Sequence, residues 1–176
     1  MEINSNNKYI EGSGEFVMER MIEILKKQFK IYEEILKISE EKTDIIVKDK
    51  VDELKELVSR EEELVKSFIP LEKERLSIVK EFGRSNGITG VPKIPEICDY
   101  FPENKDELMS LRKSILDITK KISVRNEQNE KLIKNSLDYI NFSVGLITGT
   151  GTNPVTYGKY GEANKKEARK FLDISL

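Results

Sequence analysis

The stretch EFVMERMIEILKKQFKIYEEILKISEEKTDIIVK, residues 15–48, decides the fold class. Met18, Ile22, Leu25, Phe29, Tyr32 and Leu36 step by four, three, four, three and four. That is the a/d seam of a heptad, one apolar stripe on a helix. Ile24, Ile31, Ile35 and Ile38 widen the stripe, as suits a helix that touches more than one neighbour. No proline interrupts it. A helix of this length would be roughly 50 Å long at 1.5 Å per residue. Such a rod cannot bury its own stripe, so it needs partner helices from elsewhere in the chain.

Upstream, residues 1–14 are polar and contain Gly12 and Gly14, which predicts a flexible lead-in with Ser13 as N-cap and Glu15 in the first turn. Downstream, Asp49 and Asp52 read as an N-cap and a first-turn acid after a tight turn at 48–50. A second stripe follows over 51–82: Val51, Leu54, Val58, Leu64, Val65, Phe68, Leu71, Leu76, Val79 and Phe82. Pro70 inside it predicts a kink, because the stripe resumes beyond. Gly83 is expected to end that run. Glycines 83, 87 and 90 and prolines 92, 95 and 102 then mark residues 83–104 as the long connection. Ile94, Ile97, Cys98, Tyr100 and Phe101 are too apolar for a free linker, so this loop is expected to be ordered, with one short helical turn on the bundle. Asn104 and Glu107 read as a capping box. They open a third long helix over 105–147, whose seam runs through Leu108, Leu111, Ile115, Ile118 or Thr119, and Ile122, turns polar at Asn126 and Asn129, and continues through Leu132 or Ile133, Ser136, Ile140 and Ser143.

These patterns predict an all-α protein. Three long helices (about 15–48, 51–82 and 105–147) would form an antiparallel, coiled-coil-like bundle over residues 1–148. Residues 149–176 would form a flexible hinge, TGTGTNPVTYGKYGEA over 148–163, and a short C-terminal amphipathic helix. Asn164 to Glu167 reads as its capping box, and Ala168, Phe171 and Leu172 share one face. So short a helix is marginal alone in water and would order on docking. Phe16, Phe29 and Phe82 are expected in the core, and Tyr139 in helix packing.

Composition narrows the function. The 176 residues hold 30 Lys and Arg against 32 Asp and Glu, a net charge of −2, with the signs intermingled. That gives no basic stripe for nucleic acid. The chain has no histidine and one cysteine, Cys98. The first fact removes the usual general base and commonest metal ligand; the second fits a reducing compartment. The N-terminus does not read as a signal peptide, and no apolar run reaches the ~20 residues of a membrane span. No nucleophile–base pair, metal-ligand cluster or phosphate loop can be identified, and the GTGTN stretch follows a helix and lacks the phosphate-loop lysine. The expectation is a non-enzymatic, cytoplasmic protein without cofactor that binds other proteins. The competing expectation is a structural coiled-coil scaffold or a self-associating spacer. A spacer, however, has little use for a glycine-rich hinge followed by a capped apolar helix. A possible homo-oligomer follows from the wide stripes.

The stretch NEQNEKLIKNSLDYINF, residues 126–142, resembles the same region of the FlgN family of flagellar type III export chaperones, with Asn126, Asn129, Ser136 and Leu137 in its Asn-rich seam and following Ser-Leu. LVSREEELVKSFIPLEKER at 57–75 is also similar to that family. So are TYGKYG at 156–161 and FLDISL at 171–176. Pro70 and the apolar loop at 88–101 depart from the pattern. The resemblance implies a cytoplasmic chaperone that binds hook–filament junction proteins and delivers them to a component of the export gate, with the client site toward the C-terminus. Tyr157, Tyr160, Ala168, Phe171 and Leu172 are then the candidate client contacts. Asn126 and Asn129 either fix helix register or touch the client.

Overall fold

The structure is a computed structural model that describes residues 7–148, with side chains from Phe16 onward. In chain order it holds α1 (Asn7–Val47), α2 (Val51–Ser85), α3 (Ile94–Cys98), a 3-10 turn (Pro102–Asn104) and α4 (Lys105–Thr148). Among the described residues there is no strand. The expected hinge and C-terminal helix lie outside the described residues, as do Tyr157, Tyr160, Ala168, Phe171 and Leu172.

α1 is the helix on which the others pack. It contacts both α2 and α4 along its length, whereas α2 and α4 approach each other closely at few points. The side-chain pairs give the directions. Arg20 meets Glu74, Gln28 meets Glu72, and Lys42 meets Glu61, so the numbers fall on α2 as they rise on α1. Lys26 meets Glu107, Ser39 meets Asn126, and Thr43 meets Asn129, so α4 runs the same way as α1. The core between them is the predicted stripe: Met18, Ile22, Leu25, Tyr32 and Ile35 of α1 against Phe68 and Val79 of α2 and Leu108, Ile115, Ile118 and Ile122 of α4. Tyr32 and Phe68 stack with centroids 5.1 Å apart. Beside them the buried Arg75 grips Glu72 through two hydrogen bonds of 2.8 Å, and Glu72 also accepts from Gln28 at 2.9 Å. Each charge in this patch therefore enters the core already partnered, the condition under which burying it is tolerable.

One end of the bundle is closed. α3 inserts Ile94, Ile97 and Cys98, all buried, and Phe82 packs on Tyr100 and Phe101 at 5.2 and 5.8 Å. α2 continues two residues past Gly83, to Ser85. Gly83 is buried there because Pro92 lies over it: an added Cβ would sit 2.9 Å from the Pro92 Cδ. Its role is close approach rather than helix termination. Burial pushes the Cys98 thiol above its ordinary value, consistent with a small buried hydrophobe.

Several expectations are corrected. α1 already runs from Asn7, so Ser13 lies inside the helix rather than at its cap. Glycines 12 and 14 weaken a helix by about 1 kcal/mol each relative to alanine but do not forbid it. Phe16 is 70% exposed; it precedes the buried Met18 by two residues, roughly 200° around the helix, and so faces water. On α2 the buried position is Leu57, while Val51 and Val58 are exposed. α2 passes through Pro70 as one element, with the proline on its exposed side. Asn104 ends the 3-10 turn, its N–H donating to Phe101, and Glu107 pairs with Lys26 at 2.6 Å instead of capping.

Asp49 is not an N-cap. It is the left-handed residue, φ 52°, that terminates α1. The Asp49 N–H donates to Ile46 at 3.2 Å and the Lys50 N–H to Ile45 at 3.1 Å, the two bonds of a Schellman motif. Glycine is the residue this position favours, since a side chain in the left-handed region costs about 1 kcal/mol. Asp49→Gly is therefore expected to raise the unfolding free energy by ~0.5–1 kcal/mol with helix content unchanged; urea denaturation followed by circular dichroism measures it.

Candidate functional site

The other end of the bundle is open, because α1 stops before α4 does. Thr43 pairs with Asn129, and α1 ends four residues later at Val47. α4 runs on to Thr148. Roughly fifteen residues of α4, ~22 Å at 1.5 Å per residue, therefore project past the α1–α2 turn. Beyond Asn129 no described residue of α4 is buried.

This projection is apolar where an isolated helix should not be. Ile133, Leu137, Ile140, Val144 and Ile147 step by four, three, four and three, and all are exposed, Ile147 by 85%. At 100° per residue they continue the same face that carries Ile115, Ile122 and Asn129 against α1. Tyr139, Phe142 and Leu146 lie on the opposite side and are exposed too. Tyr139, at 71% exposure, is not the packing residue the sequence suggested. Lys134 and Asp138 are the only charged residues from 134 to 148. A helix that is apolar all around belongs in an interior, and a contiguous exposed patch of this kind marks an interaction site.

At the root of the projection α2 and α4 part over α1 and leave an open groove of about 310 Å³. Ile46, Leu54, Val58 and Ile133 give it apolar walls; Lys42, Glu61, Asn126, Asn129 and Glu130 line the rest. Lys42 and Glu61 form a largely buried ion pair across the α1–α2 side. On the outer flank of α4, Lys131 lies 2.7 Å from Glu127, and its hydrogen bond holds that carboxyl below the usual carboxylate range.

The two asparagines sit where the packed seam ends. Asn129 is 5% exposed. Its Nδ2 donates to the Ser39 carbonyl at 2.8 Å, and its Oδ1 accepts from the Thr43 hydroxyl at 2.7 Å. Asn126 is exposed and accepts from the Ser39 hydroxyl at 3.1 Å. Both bonds of Asn129 are made to α1 and to nothing else in the described structure, so they hold α4 at one height on α1. Five sequence-chosen residues of the tail fall outside the described residues, and the sequence reading places the projecting residues in a helix seam or in packing without naming them as a site. Their signal was present in SLDYINFSVGLI: the apolar positions lie on two opposite faces, which a helix covered on one side does not need.

The two asparagines should differ when removed. Asn129→Ala removes two hydrogen bonds from a buried layer, of which the Thr43 hydroxyl can recover one by turning to the Ser39 carbonyl 3.2 Å away, and it is expected to lose about 1–3 kcal/mol of stability. Asn126→Ala should lose about 0.5–1 kcal/mol, because the Ser39 hydroxyl can turn back to its own helix. Chemical denaturation of the two variants checks the order.

The chain matches the FlgN protein family over residues 18–165, a span that takes in the asparagine layer, the groove and the whole projection. An uncharacterized protein of Bacillus subtilis (strain 168), YvyG, is 25% identical over 159 residues, covering 89% of this chain and 94% of that protein. No solved structure matches. Among the described residues there is no group of three or more candidate metal ligands, and no helix long and apolar enough to cross a membrane. With most of its length matched, the chain belongs to the FlgN family, a family of flagellar export chaperones.

Proposed function

We propose that the protein is a cytoplasmic export chaperone that holds hook–filament junction proteins and delivers them to a component of the flagellar type III export gate. The observation that carries this reading is the α4 projection. It is a heptad-spaced apolar seam that continues beyond the end of the helix it packs on. A client helix laid on Leu137, Ile140 and Val144 would occupy the place that α1 occupies further down the seam. This is the helix-in-groove mode of recognition, read by anchors at i, i+3, i+4 and i+7. Covered in this way, the terminal helix of a client could not associate prematurely with other copies. The binding task requires no catalytic chemistry.

The tail residues Tyr157, Tyr160, Ala168, Phe171 and Leu172 belong to the same proposal as further client contacts, since the chain leads into them from the tip of the projection. Asn126 and Asn129 are assigned to register. A second reading, self-association as a structural coiled coil, draws on the same heptad spacing and the near absence of charge on the projection.

Sedimentation with and without a C-terminal fragment of a junction protein separates the two. A one-to-one complex supports the chaperone, and concentration-dependent self-association indifferent to the fragment supports the scaffold. The triple substitution Leu137→Asp, Ile140→Asp and Val144→Asp is expected to weaken fragment binding at least ~100-fold, since anchor residues in helix interfaces carry about 2 kcal/mol or more each. Because all three are exposed, each should change folding stability by no more than ~0.5 kcal/mol. Titration calorimetry and thermal melting of the variant test both halves.

A further inference from the structure

The second apolar flank of the projection is continuous with a groove lower on the bundle. Counting 100° per residue from the seam, Leu132, Tyr139, Leu146 and Phe142 widen the apolar arc of α4 to about 220°, with Asn135 and the small Ser136 and Ser143 as its polar members. Lys134, Asp138 and Asn141 lie in the narrow remainder. A helix covered by one neighbour carries an apolar stripe of about 100°. In the packed half the same flank of α4 is polar, with Ser114, Asp117 and Lys121. The wide arc therefore calls for two helices side by side, one on the seam and one on the flank.

In the packed half that flank borders a groove of about 490 Å³, lined by α1 and α4 alone. Phe29, Leu36 and Ile118 form its floor. Ile118, Leu132, Tyr139 and Leu146 differ by multiples of seven, so groove and flank lie on one heptad line, which a partner wrapped left-handed around α4 keeps facing it. Arg125 stands at the missing step, its Nε 3.9 Å from Glu40, both side chains half-exposed. From Ser114 to Leu146 the line is ~48 Å long at 1.5 Å per residue.

The groove walls carry charge of both signs. Glu33, Lys37 and Glu40 stand on α1, and Asp117 and Lys121 on α4. Apart from Glu40, none of them has an ion-pair partner among the described residues, although Glu33 and Lys37 are four residues apart on one helix. Charges at the margins of an apolar seam select a partner helix by complement. A second copy does not supply that complement. The apolar helix it leaves exposed is its own projection, only ~22 Å long and charged at Lys134 and Asp138 alone.

We propose that the client presents two helices, and that the second lies in the α1–α4 groove and on the Leu132–Tyr139–Leu146 flank. It is amphipathic, about 32 residues long, and carries basic, acidic and basic side chains in turn opposite Glu33, Lys37 and Glu40. Such a helix presupposes the chaperone function proposed above and extends the client surface from the tip of α4 to the middle of the bundle.

The test titrates the full chain, its methyl groups isotopically labelled, with a C-terminal junction-protein fragment long enough to hold both helices. The signals of Leu36, Ile118, Leu132 and Leu146 are expected to shift together with those of Leu137, Ile140 and Val144, while those of Ile94 and Ile97 at the closed end stay. Shifts confined to Leu137, Ile140 and Val144 overturn the second helix and leave the chaperone function standing. Shifts at neither set overturn both. Leu36 and Ile118 signals that move on dilution without fragment mean that the groove takes a second copy, which also overturns the proposal. Exchanging the wall charges with E33K, K37E, D117K and K121E together keeps the net charge, and all four residues are exposed. This variant is expected to melt like the original chain and to bind the fragment about tenfold more weakly. Unchanged affinity overturns the assignment of the groove.

Discussion

α4 can hide its apolar seam only where α1 is present to receive it, and the left-handed Asp49 ends α1 at the level of Ile133. Most other features of the molecule follow from that mismatch. α1, α2 and the first half of α4 share one core and close it with α3 at the far end. The second half of α4 has the same heptad spacing and no described partner. In water, an exposed Leu, Ile or Val forgoes about 1.5–3 kcal/mol that burial would supply. The projection therefore holds back binding free energy that the rest of the chain has realised as folding free energy. Its own persistence as a helix draws on continuity with the packed half, since an isolated segment of fifteen residues is marginal.

The asparagine layer sits at the boundary between these two regimes. An apolar seam without interruption could slide: shifting α4 by one heptad along α1 would exchange one set of aliphatic contacts for another. Asn129 prevents that, because its two hydrogen bonds to the Ser39 carbonyl and Thr43 hydroxyl exist at one register only, and the buried amide would be orphaned at any other. A polar residue at a seam position is a register device obtained at some loss of stability. Here it also fixes the length of the projection, since a slipped α4 would expose more or less of the seam. The Lys42–Glu61 pair and the Arg75–Glu72–Gln28 cluster set the α1–α2 register in the same manner.

How far the sequence could be read follows from what periodicity encodes. The stripe from Met18 to Tyr32 has one spacing and one explanation, and the structure buries it. Periodicity says which face of a helix is apolar, but not whether a partner is opposite. Ile140 therefore belonged to a continuous seam on paper and stands in water in the structure. Only the pairing of Thr43 with Asn129 and the end of α1 show that no partner is left among the described residues. Asp49 was misread for a related reason: an acid before an apolar run suits an N-cap as well as a C′ position, and only its φ decides. Phe16 shows the limit of composition, since an aromatic near a helix start reads as core until its angle to Met18 is considered. The tail drew attention because a capped amphipathic stretch after glycines is visible locally. The projection did not, because its exposure is a relation between two helices.

A long apolar surface held ready in water is a hazard as well as a tool, because it invites any other exposed apolar segment, including another copy of itself. Charge does little to prevent that here, with Lys134 and Asp138 the only charged groups across the last fifteen residues of α4. Elsewhere the chain is amply charged, so the neutrality is local. A protein that must receive a client helix cannot place lysines on the receiving seam without weakening the contact it exists to make. The protection has to come from something removable. Whatever covers the seam must therefore hold it firmly enough to shield it and loosely enough to leave.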